Sequence, residues 1–126
     1  MKILIVEDSP LVRKMYGLVF SPREHELDTA EDGRKGLEAL TVTSQRYDLI
    51  LLDLRMPDMD GVEFIRAVKR TAAFASIPIV LTTVEADTSD LLLQARVLGV
   101  AAVVKKPWKP QDLRNVVQSV LHGPRV

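Results

Sequence analysis

Short apolar runs and amphipathic stretches alternate along the whole chain. Strand-like runs fall at about 2–6, 26–30, 48–53, 78–83 and 101–104, with helical patterns at about 10–21, 33–44, 61–71, 87–98 and 110–121. Strands alternating with helices of this length predict parallel βαβ units. The runs 49–52 and 77–81 are continuously apolar, which predicts a sheet covered on both faces. The run His25-Glu26-Leu27-Asp28-Thr29-Ala30 is polar by contrast and suits an edge strand with one wet side. No repeat, linker or low-complexity tract breaks the pattern. One compact α/β domain, a (βα)5 unit over residues 1–122, is expected, with Gly123-Pro124 opening a short tail, 123–126.

Helix signals support these elements. Ser9-Pro10 offers an N-cap followed by proline in the first turn, and Leu11, Val12, Met15, Leu18 and Val19 then form the expected apolar face. Asp60 and Glu63 have capping-box spacing ahead of Val62, Ile65 and Val68. In the last helix Leu113, Val116, Val117, Val120 and Leu121 recur at i, i+3, i+4, i+7 and i+8. Leu91-Leu92-Leu93 carries more apolar surface than one buried stripe needs; two packed leucines and one exposed are the simplest account.

Composition narrows the chemistry. The 126 residues include no cysteine, which excludes disulfides, thiolate metal sites and a cysteine nucleophile. The start turns acidic at Glu7 after four apolar residues, too short for a signal peptide, and no later run could span a bilayer. A cytoplasmic protein without membrane insertion is expected. Net charge is zero, yet residues 1–63 hold 8 Lys/Arg against 13 Asp/Glu, and residues 64–126 hold 9 against 4. The basic cluster Lys105, Lys106 and Lys109 has one nearby aromatic, Trp108, and no nucleic-acid recognition motif, so a nucleic-acid role is not expected.

The strand ends carry the candidate chemistry. Glu7 and Asp8 close the first apolar run, Asp53 the third, Thr83 the fourth, and Lys106 follows the fifth. Open parallel sheets bind ligands at this end of their strands. Carboxylates gathered there repel one another, and a bound cation relieves that cost. Oxygen donors without His or Cys favour Mg²⁺. Phosphoryl transfer needs little beyond such positioning and charge neutralisation. With Lys106 as the opposing charge and Thr83 as a hydroxyl donor, the set suits forming and hydrolysing an acyl phosphate on Asp53. Taken singly, each residue could be a solvated loop group or a helix cap; the joint pattern favours one site.

The chain resembles the receiver domain of two-component response regulators, close in length to stand-alone members of the chemotaxis type. The likeness rests on Ile5-Val6-Glu7-Asp8, Leu52-Asp53-Leu54-Arg55-Met56-Pro57-Asp58-Met59-Asp60-Gly61, Pro78-Ile79-Val80-Leu81-Thr82-Thr83 and Val104-Lys105-Lys106-Pro107-Trp108. It implies a flavodoxin-like, doubly wound five-stranded parallel sheet of order 2-1-3-4-5. By the resemblance, Asp53 accepts phosphate from a phosphohistidine on a sensor histidine kinase or phosphotransfer protein. Asp8, Asp53 and the backbone carbonyl of Arg55 would hold Mg²⁺, with Glu7 acting mainly through metal-bound water. Thr83 would swing toward the phosphoryl group and Lys106 would pair with it. The Lys106–Pro107 bond would be cis, and Met56-Pro57 and Gly61 would shape the loop after Asp53. Thr82 competes for the hydroxyl role, but counting from Pro78 and from Glu85-Ala86 favours Thr83, and only one of the two can face the site.

Two positions depart from the family. Val103 stands where many relatives carry Tyr or Phe, so a switch based on a moving ring is not expected. Arg55, two residues beyond Asp53, could pair with phosphoryl oxygens or with Glu85 and change the acyl-phosphate lifetime. Since the chain stops after the last helix, output is expected as phosphorylation-dependent binding of a target protein through the fourth helix, last strand and last helix, with a homodimer as a further option. A docking module that needs no phosphate is the alternative, with Val103 as its one supporting feature. A small phosphohydrolase of the haloacid-dehalogenase kind is disfavoured, because Arg55 stands where that family needs its acid/base Asp. Neither His25 nor His122 is expected to relay phosphate, and Tyr16 and Tyr47 look like packing residues.

Overall fold

The computed structural model describes residues 1–42, 46–56 and 59–123. Five strands, β1 (Lys2–Val6), β2 (Glu26–Ala30), β3 (Leu49–Asp53), β4 (Ile79–Thr83) and β5 (Ala102–Lys105), alternate with five helices. These are α1 (Pro10–Val19), α2 (Gly33–Val42), α3 (Gly61–Arg70), α4 (Asp90–Val97) and α5 (Pro110–His122). Every strand pair is parallel and the order is β2-β1-β3-β4-β5. This is the flavodoxin-like doubly wound sheet, and the polar second strand takes an edge.

Two apolar layers flank the sheet because strand side chains alternate between its faces. Leu4, Val6, Ile50, Leu52, Ile79 and Leu81 pack on one side with Phe64, Ile65 and Val68 of α3 and Leu92 of α4. On the other, Ile3, Ile5, Leu49, Leu51 and Val80 meet Tyr16 and Val19 of α1 and Leu113 and Val117 of α5. Each such side chain, fully buried, contributes about 1.5–3 kcal/mol. The central strands β3 and β4 are buried along their whole length, so their runs needed no polar alternation.

Caps set most helix starts. Ser9 Oγ accepts from Val12 N at 3.2 Å and Asp60 Oδ1 from Glu63 N at 2.9 Å, as their spacing predicts. The fourth helix begins at Asp90 rather than 87, because Ala86 to Ser89 forms a turn (Ser89 N to Ala86 O, 2.9 Å) and Ser89 is the N-cap. Positions 43 and 44 of the expected second helix, and 124–126 of the tail, lie outside the described residues.

The expected face of α1 holds at Val12 and Val19 and needs correction at its other three positions. Leu11, Met15 and Leu18 are exposed, Leu18 at 82%. The buried stripe is Tyr16 and Val19, with Val12 partly covered. Positions 11, 15, 18 and 12, 16, 19 share the same i, i+4, i+7 spacing, so periodicity cannot choose between them. Tyr16 decides it: its hydroxyl donates to Thr82 Oγ1 at 2.9 Å and its ring stacks on Trp108 at 5.3 Å. A buried tyrosine holds its place when its hydroxyl finds a partner. Leu91-Leu92-Leu93 follows the simple account, with Leu92 buried, Leu91 partly buried and Leu93 exposed.

Candidate functional site

The parallel sheet delivers four strand ends to one edge. Glu7 and Asp8 lie just beyond β1, Asp53 ends β3, Thr83 ends β4, and Lys106 follows β5. Backbone bonds hold these ends in register: Glu7 N to Ala30 O at 3.0 Å, and Lys106 N to Thr83 O at 2.8 Å. The loop after Asp53 is closed by Gly61 N donating to Leu54 O at 2.7 Å. A Cβ on Gly61 would come 2.8 Å from Leu54 Cα, so this close approach admits glycine alone. Pro57 and Asp58 of this loop lie outside the described residues. The Lys106–Pro107 bond is cis, as expected.

Carboxylate oxygens of Glu7, Asp8 and Asp53 lie within 4.8 Å of one another. Glu7 is 1% exposed and Asp53 9%, whereas Asp8 is open to solvent. Lys106 Nζ sits 2.9 Å from Glu7 Oε1 and 3.5 Å from Asp53 Oδ2. Glu7 Oε2 accepts from Ser9 N at 3.1 Å, and Asp53 Oδ1 from Arg55 N at 3.3 Å. Burial pushes the Glu7 carboxyl up to about 7, and the Asp53 charge adds to this while Lys106 and Ser9 oppose it. Asp53 is also raised, by burial first and with a contribution from Asp8, against the pull of Lys106 and the Arg55 amide. One lysine therefore does not neutralise the group. An all-oxygen donor set that is short of positive charge fits a hard cation such as Mg²⁺.

The two threonines are told apart by their surroundings. Thr82 Oγ1 is tied to Tyr16 inside the layer formed by α1 and α5. Thr83 Oγ1 accepts from Glu85 N at 3.0 Å, in the loop that leads to α4. Val103, at the position of the usual ring, packs partly buried against the opposite layer. Arg55 turns its guanidinium to Glu85 in a fork of two 3.0 Å bonds. The Tyr16–Thr82 bond joins elements 66 positions apart, and Ser89 takes its place through Glu85, which Arg55 holds from 30 positions away; neither follows from local spacing.

An α/β sheet of this order with an acidic cleft at its carboxyl edge defines the class. The chain belongs to the response regulator receiver domain family, whose model matches residues 3–118. Members are the signalling domains of two-component systems. The chain is 38% identical over 113 residues to the DNA-binding response regulator MtrA of Mycolicibacterium smegmatis, covering 89% of this chain and 46% of that protein. It resembles the chemotaxis protein CheY4 of Vibrio cholerae at 31% identity and a TM-score of 0.85, covering 94% of this chain and 97% of that one. A third likeness is the receiver domain of the sensor histidine kinase PA1611 of Pseudomonas aeruginosa, solved with a magnesium ion coordinated in its active-site cleft. That one has a TM-score of 0.84 and 27% identity, covering 97% of this chain and 98% of that one. The chain spans about half the length, or less, of the curated relatives it matches.

Proposed function

We propose that Asp53 is the phosphoacceptor of a response regulator and takes its phosphoryl group from a phosphohistidine of a sensor histidine kinase or phosphotransfer protein. The observation that carries this reading is the buried Asp53 carboxylate, beside two further acids and 3.5 Å from a lysine ammonium. A carboxylate oxygen of Asp53 attacks phosphorus, the P–N bond to the imidazole breaks, and the leaving nitrogen takes a proton. Lys106 offsets the charge on Asp53 before transfer and on a phosphoryl oxygen after it. Thr83 offers its hydroxyl proton to another oxygen of the group; the Tyr16 bond to Thr82 supports giving this role to Thr83. Asp8, Asp53 and the carbonyl of Arg55 would hold Mg²⁺, with Glu7 acting through water. When bound, the ion supplies positive charge beside the phosphoryl oxygens. Hydrolysis of the acyl phosphate later restores the carboxylate, so the protein turns over only its own modification.

Output in this reading is phosphorylation-dependent contact with a target protein, or a second copy, across α4, β5 and α5. The exposed Leu93 and Val97 of α4 support that face. Residues 1–122 act as the receiver unit, with 123–126 as a tail. No described helix is long and apolar enough to cross a membrane, and a cytoplasmic setting suits the partners proposed. Incubation with Mg²⁺ and acetyl phosphate, followed by intact mass, tests the reading. One added phosphate on the wild type and none on Asp53→Asn is expected. An unmodified wild type that still binds its partner would instead favour a docking module that needs no phosphate.

A further inference from the structure

Resting on Asp53 as the phosphoacceptor, we propose that Glu85 is a hub clamped by Arg55, and that a phosphoryl group on Asp53 competes with Glu85 for the Arg55 guanidinium and so releases the start of α4. Four contacts meet at Glu85. Its carboxylate accepts the Arg55 fork and also the Ser89 hydroxyl at 2.8 Å. Its amide donates to Thr83 Oγ1 at 3.0 Å, and its carbonyl accepts from Lys105. One residue thus joins the loop after Asp53, the end of β4, the end of β5 and the cap of α4.

The cap itself is weakly held. Ser89 Oγ caps α4 through Leu92 N at a long 3.5 Å while giving its own proton to Glu85. The helix has eight residues and buries only Leu92 and Ala95. A helix this short depends on its cap and its few packed side chains.

Arg55 is placed to serve two anions. Its amide donates to Asp53 Oδ1, while its side chain, 66% exposed, reaches across to Glu85, 14% exposed. A guanidinium binds a carboxylate or a phosphoryl group with the same fork, and a phosphoryl group carries the greater negative charge. Transfer of Arg55 strips Glu85 of two charge-assisted bonds and loosens the Ser89 cap. With Val103 offering no ring to move, the signal reaches α4 through this hub.

Linkage makes the idea testable, because competition for one guanidinium must act in both directions. The probe is beryllium fluoride with Mg²⁺, which forms a phosphoryl-like adduct on Asp53 seen by ¹⁹F resonance. Amide exchange at Leu92 and Leu93 reports on the cap. In the wild type the adduct is expected to speed that exchange at least about five-fold. Glu85→Gln and Arg55→Ala should both exchange faster before any adduct forms. Their adduct affinities should then move apart: tighter for Glu85→Gln, which frees the arginine, and weaker for Arg55→Ala, which removes it. A merely structural clamp would shift both affinities the same way, and that result overturns the proposal. Adduct formation with unchanged exchange at Leu92 and Leu93 overturns it too. Absence of any adduct on the wild type removes the Asp53 reading itself, and the clamp with it.

Discussion

At the amino edge of the sheet, polar groups of neighbouring segments pair with one another. The Met1 ammonium donates to Glu24 O at 2.8 Å, Lys2 N donates to Asp48 Oδ2 at 2.8 Å, and Asp48 N returns a bond to Lys2 O at 2.7 Å. At the carboxyl edge, Glu7 and Asp53 are buried, pushed up, and share one lysine. The same fold therefore closes one edge and leaves the other short of positive charge. On the reading proposed above, a site that takes a cation and a phosphoryl group is not fully satisfied without them, and local rules of stability are often broken at such places. His25 is the partial exception at the amino edge: among the described residues its Nδ1 is buried without a hydrogen-bond partner.

The sharpest test of the contrast is a methyl group. Gly61→Ala sets a Cβ against the Leu54 backbone at 2.8 Å and should lower stability by about 3 kcal/mol in denaturant titration. A loss below about 1 kcal/mol would mean that the carboxyl-edge loop yields more readily than its packing implies.

Next in size is the effect of pH. Glu7 is raised from 4.5 to about 7, chiefly by burial. A carboxyl that is raised on folding adds its stability below its unfolded value and loses it as pH climbs through the folded one. Metal-free protein should therefore lose about 1–3 kcal/mol between pH 4.5 and 7 through this group, measured by thermal unfolding. Glu7→Gln should flatten that decline, and Mg²⁺ added above pH 7 should offset it. A flat metal-free profile for the wild type would erase the difference between the edges.

Gly17 points the other way. It lies inside α1 with nothing within 4 Å of an added Cβ, so Gly17→Ala should raise stability by about 0.5–1 kcal/mol. A loss on denaturant titration would reveal a contact on that face. The smallest expected effect belongs to His25, lowered from 6.5 by burial first, then by the terminal ammonium. Its stabilising effect is present above pH 6.5 and is lost as pH falls, opposite in sign to Glu7. His25→Leu should remove that acid-side loss, and an unchanged acid limb would refute the assignment.

Much of this was legible from local pattern. The polar second strand announced its edge, and Ser9 and Asp60 announced their helices, because caps and alternation act within a few residues. The start of α4 was missed by three residues, since the turn before Ser89 leans on Glu85 and Arg55. Leu11, Met15 and Leu18 were placed on the wrong face of α1 for a similar reason: the choice rests on Thr82, 66 positions from Tyr16.

By itself the order of residues determined the alternating elements, the two-sided burial of β3 and β4, and which side chains stand at the strand ends. Those follow from periodicity and from turns, whose forces reach only nearby neighbours. Only the tertiary structure decided that Lys106 reaches Glu7 across 99 positions, that Arg55 holds Glu85, and which stripe of α1 is buried. Such choices depend on distances between packed elements, and no local spacing along the chain contains them.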